Sequence, residues 1–266
     1  MAYLELDNIS FEYPNQTLAL DQINLSVDKG QRVAVVGENG SGKSSLFLCL
    51  CGIHHAQTGR YIIDGDEQKC KRKDRNKLFS KVGYVFQDPE VQLFASTVEK
   101  DISFGAINAG MKGDLLKECM NEVMTMTQTH ELKKKPPHQL SYGQKKRVAI
   151  AGVLACKPDV LLLDEPFAWL DNHQKKNTIQ VLDHLHEQNK TIIISTHDIN
   201  FAYEWADKLV VMKEGRIIAT GHPQNLLEDE ELLECAGLEM PLILQLSKKL
   251  NLDLRPNSME EFFSMA

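Results

Sequence analysis

The chain has 266 residues, of which 42% are hydrophobic and 25% charged, a composition ordinary for a folded protein with one large domain or one domain with an appendage. No stretch approaches the roughly 20 consecutive apolar residues that a membrane-spanning helix needs, so the chain is not expected to cross a bilayer by itself. The net charge of −7 offers no general basic face, so nucleic acid is not an expected partner.

The N-terminal segment predicts a small β subdomain. It lacks the basic segment and apolar run of a secretory signal, which favours a cytoplasmic protein. Apolar and polar residues alternate from Tyr3 to Leu6, from Ile9 to Phe11 and from Ile23 to Val27. Alternation with a period of two is typical of half-exposed antiparallel strands.

A glycine-rich loop lies between the apolar run Arg32 to Val36 and the helical composition of Lys43 to Gly52. The loop matches the pattern G-x-x-x-x-G-K-[ST] in full, in the strand-to-helix context that the pattern requires. Glycines let backbone N–H groups surround phosphate oxygens, and a helix N-terminus favours an anion. We expect Lys43 to reach the β- and γ-phosphates of ATP and the hydroxyl of Ser44 to bind Mg²⁺. The expected nucleotide contacts of the loop are Gly37, Asn39, Gly40, Ser41, Gly42, Lys43, Ser44 and Ser45.

The six cysteines, Cys70 among them, form no C-x-x-C pair, which favours reduced thiols over a disulfide framework. Cys49 and Cys51 lie near His54 and His55 in the sequence. Helix positions two residues apart point in diverging directions, so a metal site there is not favoured.

Strand signals fade between about Asp88 and Lys157, which predicts a helical insert at 88–157. Its three predicted helices are Thr97 to Ala109, Asp114 to Thr129 and Ser141 to Cys156.

Apolar strands return after the insert and alternate with helices, as in a parallel sheet covered on both faces. The predicted elements are the strands Val160 to Leu163, Thr191 to Ser195 and Leu209 to Met212, with a helix His173 to Glu187. Beyond an α/β domain at 1–222 we predict a helical extension at 223–266, with helices Gln224 to Glu234 and Met240 to Leu250 and a tail broken at Pro256.

Two carboxylates, Asp164 and Glu165, follow the buried run Leu161 to Leu163. Ligands gather at the carboxyl ends of parallel strands, so Asp164 and Lys43 can face one nucleotide. We expect Asp164 to hold Mg²⁺ through water and Glu165 to act as the general base that polarises the attacking water. A strand ending in solvated acids is the alternative, and the presence of the phosphate loop favours nucleotide hydrolysis.

The segment Leu140 to Gln144, LSYGQ, resembles the LSGGQ signature of the ATP-binding cassette (ABC) ATPases, and the resemblance covers nearly the whole chain. Tyr142 replaces a glycine, while Ser141 and Gly143 are retained. As a helix N-cap, Ser141 can present its hydroxyl and a helix N-terminus to a γ-phosphate. The resemblance implies the phosphate-loop ATPase fold, with an antiparallel β subdomain and a helical subdomain. It also implies that Ser141, Gly143 and Gln144 bind the nucleotide of a second ATPase subunit.

Four further residues resemble functional residues of the family, and they occur in the same order along the chain. Tyr13 resembles the aromatic residue that stacks on adenine, and Gln87 resembles the glutamine that senses Mg²⁺ and the γ-phosphate and links them to the membrane partner. Asp171 resembles an aspartate at the dimer interface, and His197 resembles the histidine that contacts the γ-phosphate and orders the attacking water.

The segments Gln87 to Phe94 and Thr97 to Gly105 resemble the ATPases of energy-coupling factor (ECF) importers, which include cobalt and nickel systems. This resemblance implies uptake of a vitamin or a transition-metal ion, with a transmembrane coupling subunit and a substrate-binding membrane subunit as partners. The chain would then lie at the cytoplasmic face of the membrane. Leu93 and Phe94 are expected to grip a helix of the coupling subunit or, alternatively, to pack within the insert. The C-terminal extension resembles the extra domain that helps to hold two such ATPases together.

Two other function classes fit the phosphate loop. A soluble ABC ATPase acting on DNA or ribosomes would carry long coiled coils or two cassettes, and neither is visible in the sequence. A small-molecule kinase with a phosphate loop would leave the signature and His197 without a role.

Overall fold

The computed structural model of the chain describes residues 2–68, 72–250 and 256–265, so Cys70 lies outside the described residues. In this part of the chain, no helix is both long enough and apolar enough to cross a bilayer. The described strands are β1 (Leu4–Glu12), β2 (Leu18–Val27), β3 (Arg32–Val36), β4 (Thr58–Ile63), β5 (Asp66–Glu67), β6 (Val82–Val85), β7 (Val160–Asp164), β8 (Thr191–Ser195), β9 (Lys208–Lys213) and β10 (Arg216–Gly221).

Helices connect most of these strands. The described α-helices are α1 (Lys43–Leu50), α2 (Arg72–Lys81), α3 (Val98–Asn108), α4 (Gly113–Met126), α5 (Tyr142–Leu154), α6 (Asn172–Glu187), α7 (Ile199–Trp205), α8 (Pro223–Leu226), α9 (Glu230–Ala236), α10 (Leu242–Lys249) and α11 (Met259–Met265), and 3-10 turns span Pro89–Val91, His130–Leu132 and Pro137–Gln139.

The chain divides into two compact units. The first comprises Met1–Cys49, His54–Gln68 and Ile193–Ala266, and the second comprises Leu50–Ile53 and Lys69–Ile192. Strand β8 begins in the second unit and ends in the first.

The first unit contains the predicted antiparallel subdomain, a sheet in the order β2-β1-β4-β5. Leu4 of β1 lies opposite Val27 of β2 and Ile63 of β4. The apolar residues of β1 are buried and most of its polar residues are exposed, which confirms the alternation expected for a sheet with one face on the core.

The same unit contains a parallel pair, β3 and β9, in which Val33 lies opposite Lys208, and β10 pairs with β9 in the antiparallel direction. The apolar positions of β3 and β9 are fully buried, as expected for strands covered on both faces. This pairing places the C-terminus of β3, where the phosphate loop begins, next to β9.

The second unit is built around the parallel pair β6 and β7 and the helices α3, α4 and α5. Val82 lies opposite Val160, and Val160 to Leu163 are buried. Helix α5 packs against α3, α4 and β6. The three helices expected in the insert are confirmed, each within a few residues of its expected ends.

The single helix expected from Gln224 to Glu234 is wrong, because two helices, α8 and α9, are present there. The side chain of Asp229 accepts a hydrogen bond from the backbone N–H of Leu232 and so starts α9 as a new helix. Pro223 is buried and α8 packs against α7 and β10. The domain boundary at residue 222 stays a prediction.

Candidate nucleotide-binding site

The predicted site residues are divided between the two units, and the phosphate loop belongs to the first. Gly37 has a φ of +149°, and a Cβ atom there would lie 2.2 Å from the backbone oxygen of Met212. Gly42 has a φ of +104°, and its Cβ would lie 2.8 Å from the backbone oxygen of Ala19. No other residue type fits at these two positions, so the loop requires its glycines.

Lys43 begins α1 and its ammonium group lies inside the curve of the loop. Its Nζ donates hydrogen bonds to the backbone oxygens of Gly37 at 2.8 Å and Glu38 at 2.9 Å. The side chain is buried. A cation is therefore held where the loop would surround phosphate oxygens.

Ser41 supplies an independent test of whether the loop fits a phosphate group. Its Oγ is buried and has no hydrogen-bond partner among the described residues. A buried hydroxyl without a partner costs free energy, and an anion oxygen within the loop would remove that cost. The loop therefore fits the phosphates of ATP.

An aromatic cluster holds Tyr13 beside this loop. The hydroxyl of Tyr13 lies 3.1 Å from Oγ of Ser45 on α1. The ring of His54 stacks on Phe11, with centroids 4.7 Å apart, and meets Tyr13 edge-on at 5.3 Å. Burial, followed by the charge of His55, lowers the pKa of His54, which favours the neutral ring. The sequence interpretation missed His54 as a support for Tyr13.

His197 also belongs to the first unit, where it follows β8 and is exposed. Its neighbours fix the backbone, because Thr196 Oγ1 accepts the N–H of Asp198 at 3.0 Å and Asp198 caps α7 by accepting the N–H of Phe201. The histidine thus stands at the carboxyl end of a buried strand, as expected.

In the second unit, Asp164 ends β7 and is buried. The phenol of Tyr84, on the neighbouring strand β6, donates a hydrogen bond to Oδ2 of Asp164 at 3.0 Å. Glu165 follows with a φ of +42°, a left-handed conformation that is unfavourable for a residue with a side chain. Such backbone strain is concentrated at functional sites. Sequence interpretation missed Tyr84, which is separated from Asp164 by 80 residues.

Ser141 is confirmed as the N-cap of α5. Its Oγ accepts the N–H of Gln144 at 3.4 Å, and Oε1 of Gln144 accepts the N–H of Ser141 at 3.0 Å. This reciprocal pair is a capping box. The amide oxygen of Gln144 is thus engaged in the cap, while Gly143 lies so close to Gln174 of α6 that a Cβ would meet its Oε1 at 2.2 Å.

Gln87 follows β6, and its backbone oxygen is bound by two side chains of α5. The hydroxyl of Tyr142 donates to it at 3.0 Å and Nζ of Lys146 donates to it at 2.9 Å. Lys146 is fully buried, and burial lowers its pKa to about 8 against the opposing effect of Asp164 and two other carboxylates. The sequence interpretation assigned no function to Lys146.

Asp171 is exposed and caps α6, with Oδ1 accepting the N–H of Gln174 at 2.8 Å. Trp169, two residues earlier, is 69% exposed and meets the ring of Tyr142 edge-on at 5.1 Å. An aromatic contact therefore joins the first residue of α5 to the segment before α6.

An apolar groove of about 270 Å³ lies in the second unit next to the segment that follows Gln87. The rings of Phe94 and Phe104 meet edge-on at 4.8 Å, and the two residues are 66% and 48% exposed. Asp101 accepts the backbone N–H groups of Phe94 and Ala95 and so fixes this segment, while burial raises the pKa of its carboxyl. Residues lining the groove include Phe79, Leu93, Phe94, Phe104, Val153 and Cys156.

Comparison with known proteins identifies the family. Residues 20–168, more than half of the chain, match the family model described as ABC transporter. The chain belongs to the ABC transporter family. It is an ABC-type ATPase, and its fold is shared with solved ABC cassettes.

Among curated ABC relatives, the chain is 42% identical over 247 residues to the energy-coupling factor transporter ATP-binding protein EcfA2 of Methanospirillum hungatei, covering 93% of this chain and 62% of that protein. This chain thus spans less than two thirds of that relative. It is 40% identical to the protein EcfA of Carboxydothermus hydrogenoformans, covering 91% of this chain and 89% of the relative.

Solved structures of ABC proteins are also similar to this chain. One is cbiO1 of Clostridium perfringens, described as part of the ABC transporter complex cbiONQ, which is 39% identical with a TM-score of 0.79 and covers 93% of this chain and 99% of that one. Another is a dimeric ATP-binding cassette in a post-hydrolysis state bound to ADP and Pi, 27% identical with a TM-score of 0.75, covering 83% of this chain and 98% of that one.

Proposed function

We propose that the chain is the ATP-hydrolysing subunit of an ECF-type importer that takes up a vitamin or a transition-metal ion such as cobalt or nickel. The identity of 40% to an energy-coupling factor ATP-binding protein, over 91% of this chain, carries the proposal. The solved relative that is part of the complex cbiONQ supports it.

In this function the phosphate loop, Gly37 to Ser45, binds the phosphates of ATP, and Lys43 neutralises charge on the β- and γ-phosphates. Tyr13 stacks on adenine. Ser44 and Gln87 offer oxygen ligands of the kind that Mg²⁺ prefers, and Asp164 holds the ion through water. Bound Mg²⁺ would supply charge stabilisation for the transferred phosphoryl group.

Glu165 acts as the general base that takes a proton from the attacking water, and His197 orders that water against the γ-phosphate. Both follow buried strands, and a carboxylate fixed at a strand end can be aimed without further reorganisation.

The active form is a dimer with a second ATPase subunit, identical or paralogous. Ser141, Gly143 and Gln144 of each subunit would meet the nucleotide of the other, and Asp171 would lie at the dimer interface. The capped N-terminus of α5 favours a phosphate anion. ATP makes its contacts to Ser141 and Gly143 of the second subunit only in the closed dimer, so ATP binding favours closure and hydrolysis favours opening.

The groove lined by Leu93, Phe94 and Phe104 receives a helix of the transmembrane coupling subunit, which places the chain at the cytoplasmic face of the membrane. A second membrane subunit binds the cargo, and nucleic acid is not a partner. Exposed aromatic rings beside an apolar groove are typical of a surface that binds a partner helix.

Co-expression of the chain with candidate membrane subunits, followed by detergent extraction and pull-down, tests this function. We expect a membrane complex with ATPase activity that Phe94→Asp disrupts. Leu115→Asp is the matched control, because Leu115 is 71% exposed on α4 and does not line the groove. Recovery of the chain with ribosomes or DNA instead of membrane subunits would contradict the proposal.

A further inference from the structure

We propose that Tyr142 and Lys146 are positioning residues that tie the loop carrying Gln87 to the helix carrying Ser141, so that the two move as one body. This inference rests on the proposed function, because it assigns a role to the contact between the loop that carries Gln87 and the helix that carries Ser141.

The backbone oxygen of Gln87 is the centre of the contact. It accepts one hydrogen bond from the hydroxyl of Tyr142 at 3.0 Å and one from Nζ of Lys146 at 2.9 Å. A carbonyl oxygen has two lone pairs, so both are used. The same Nζ also donates to the backbone oxygen of Phe86 at 2.9 Å, which fixes two successive peptide groups.

Lys146 is fully buried. Burying an ammonium group costs free energy unless its N–H donors have acceptors and opposite charges lie nearby. The two carbonyl oxygens accept hydrogen bonds from two of its three N–H donors, and the carboxylates of Asp164 and Glu165 lie close enough to favour its charge. Movement of the loop away from α5 would leave this charge without its acceptors, so the bonded arrangement is strongly preferred.

The connection continues along α5. The side chain of Gln92 accepts the N–H of Phe86 at 3.2 Å and donates to the backbone oxygen of Ala149 at 2.9 Å. Lys145 forms an ion pair with Glu90. Residues from successive turns of α5 therefore hold the segment Phe86 to Gln92 at several points along its length.

This block joins the two surfaces that the proposed function needs to couple. Leu93 and Phe94 of the groove follow the block directly in the chain, and Ser141 precedes Tyr142 at its other end. A displacement imposed on the groove by a membrane partner is transmitted to the signature serine without rearrangement inside the block. The tyrosine hydroxyl contributes to this link at a position where the family signature has a glycine.

The first test uses the full chain alone. Tyr142→Phe removes the hydroxyl and keeps the ring that meets Trp169. In hydrogen–deuterium exchange, we expect the backbone N–H groups of residues 86–92, which exclude Pro89, to exchange at least threefold faster, with exchange in the core strand β7 unchanged. Lys146→Gln, which keeps an uncharged amide group on a shorter side chain, should give the same pattern with a larger effect. Unchanged exchange at 86–92 in both variants overturns the inference, whatever the chain energises.

The second test uses the assembled membrane complex and measures substrate transported per ATP hydrolysed. For Tyr142→Phe we expect a fall of threefold or more, with the KM for ATP within twofold of the wild type. Tyr203→Phe is the matched control, because it removes a phenol-to-carbonyl hydrogen bond of the same 3.0 Å length, to Pro256, within the first unit, whereas Tyr142 and Gln87 belong to the second.

The positioning role is overturned if transport per ATP falls equally in Tyr142→Phe and Tyr203→Phe. It is also overturned if the fall in transport is explained by lower thermal stability alone. If the wild-type complex neither forms nor hydrolyses ATP, the proposed function itself fails, and the exchange experiment still decides whether the block exists.

Discussion

The phenol of Tyr84 donates a hydrogen bond to Oδ2 of Asp164 at 3.0 Å. The two residues lie on neighbouring parallel strands, with Tyr84 opposite Leu162 in the register of β6 and β7. One oxygen of the buried carboxylate is therefore committed to a neutral donor, which fixes the direction in which the other oxygen points.

Tyr84→Phe should raise the Mg²⁺ concentration required for half-maximal ATPase activity by about 10-fold, since partners that orient a metal-binding carboxylate typically contribute 10- to 100-fold to metal affinity. The ring keeps its contact with Phe86, whose centroid is 4.5 Å away. Titration of ATPase activity with Mg²⁺ at saturating ATP measures the effect. A Mg²⁺ dependence equal to that of the wild type would show that the hydrogen bond from Tyr84 does not position Asp164 for Mg²⁺.

Glu165→Gln should lower the ATPase turnover of the assembled transporter by about 100-fold or more, because a positioned general base contributes roughly 10² to 10⁴ to such reactions. ATP binding, followed by fluorescence of a nucleotide analogue, should remain within a few-fold of the wild type. Near-normal steady-state hydrolysis would refute the assignment of Glu165 as the base.

Tyr13→Ala should raise the KM for ATP by about fivefold, which corresponds to the loss of about 1 kcal/mol of stacking, with little change in kcat. His54→Ala should give a smaller increase, because it removes only the ring that supports Tyr13. His54→Phe retains an aromatic ring and is the matched control, for which we expect a near-normal KM. Equal KM values for His54→Ala and the wild type would show that the cluster does not position Tyr13.

Ionisation of the Cys51 thiol should lower the free energy of unfolding at alkaline pH. Burial raises its pKa from 9.0 to about 11. The folded chain therefore holds this proton more tightly than the unfolded chain, and the resulting stabilisation is complete below pH 9 and is lost as the pH rises through about 11. Denaturant unfolding at pH 8 and pH 10 should show a loss in the wild type about 1 kcal/mol greater than in Cys51→Ala. The two proteins should lose equal stability if the thiol ionises normally when folded.

Much of the architecture follows from local sequence. The glycines and lysine of the phosphate loop, the buried runs of β7, β8 and β9 and the three insert helices are specified by residues close together in the chain, and each is present in the structure. Other elements carry weaker local patterns. Strand β4 begins with three exposed residues, and neither α7 nor β10 was predicted.

The sequence by itself determined the family, the phosphate loop, the acidic pair and the capped signature helix, because each depends on residue types at short, fixed spacings. Only the tertiary structure decided which side chains support them. Tyr84 on β6 reaches Asp164 on the neighbouring strand β7, the ring of His54 contacts that of Tyr13 from a distant part of the chain, and Lys146 reaches Gln87, which lies 59 residues earlier. Such contacts arise from strand pairing and helix packing between residues far apart in the chain, so they produce no periodic pattern in the local sequence.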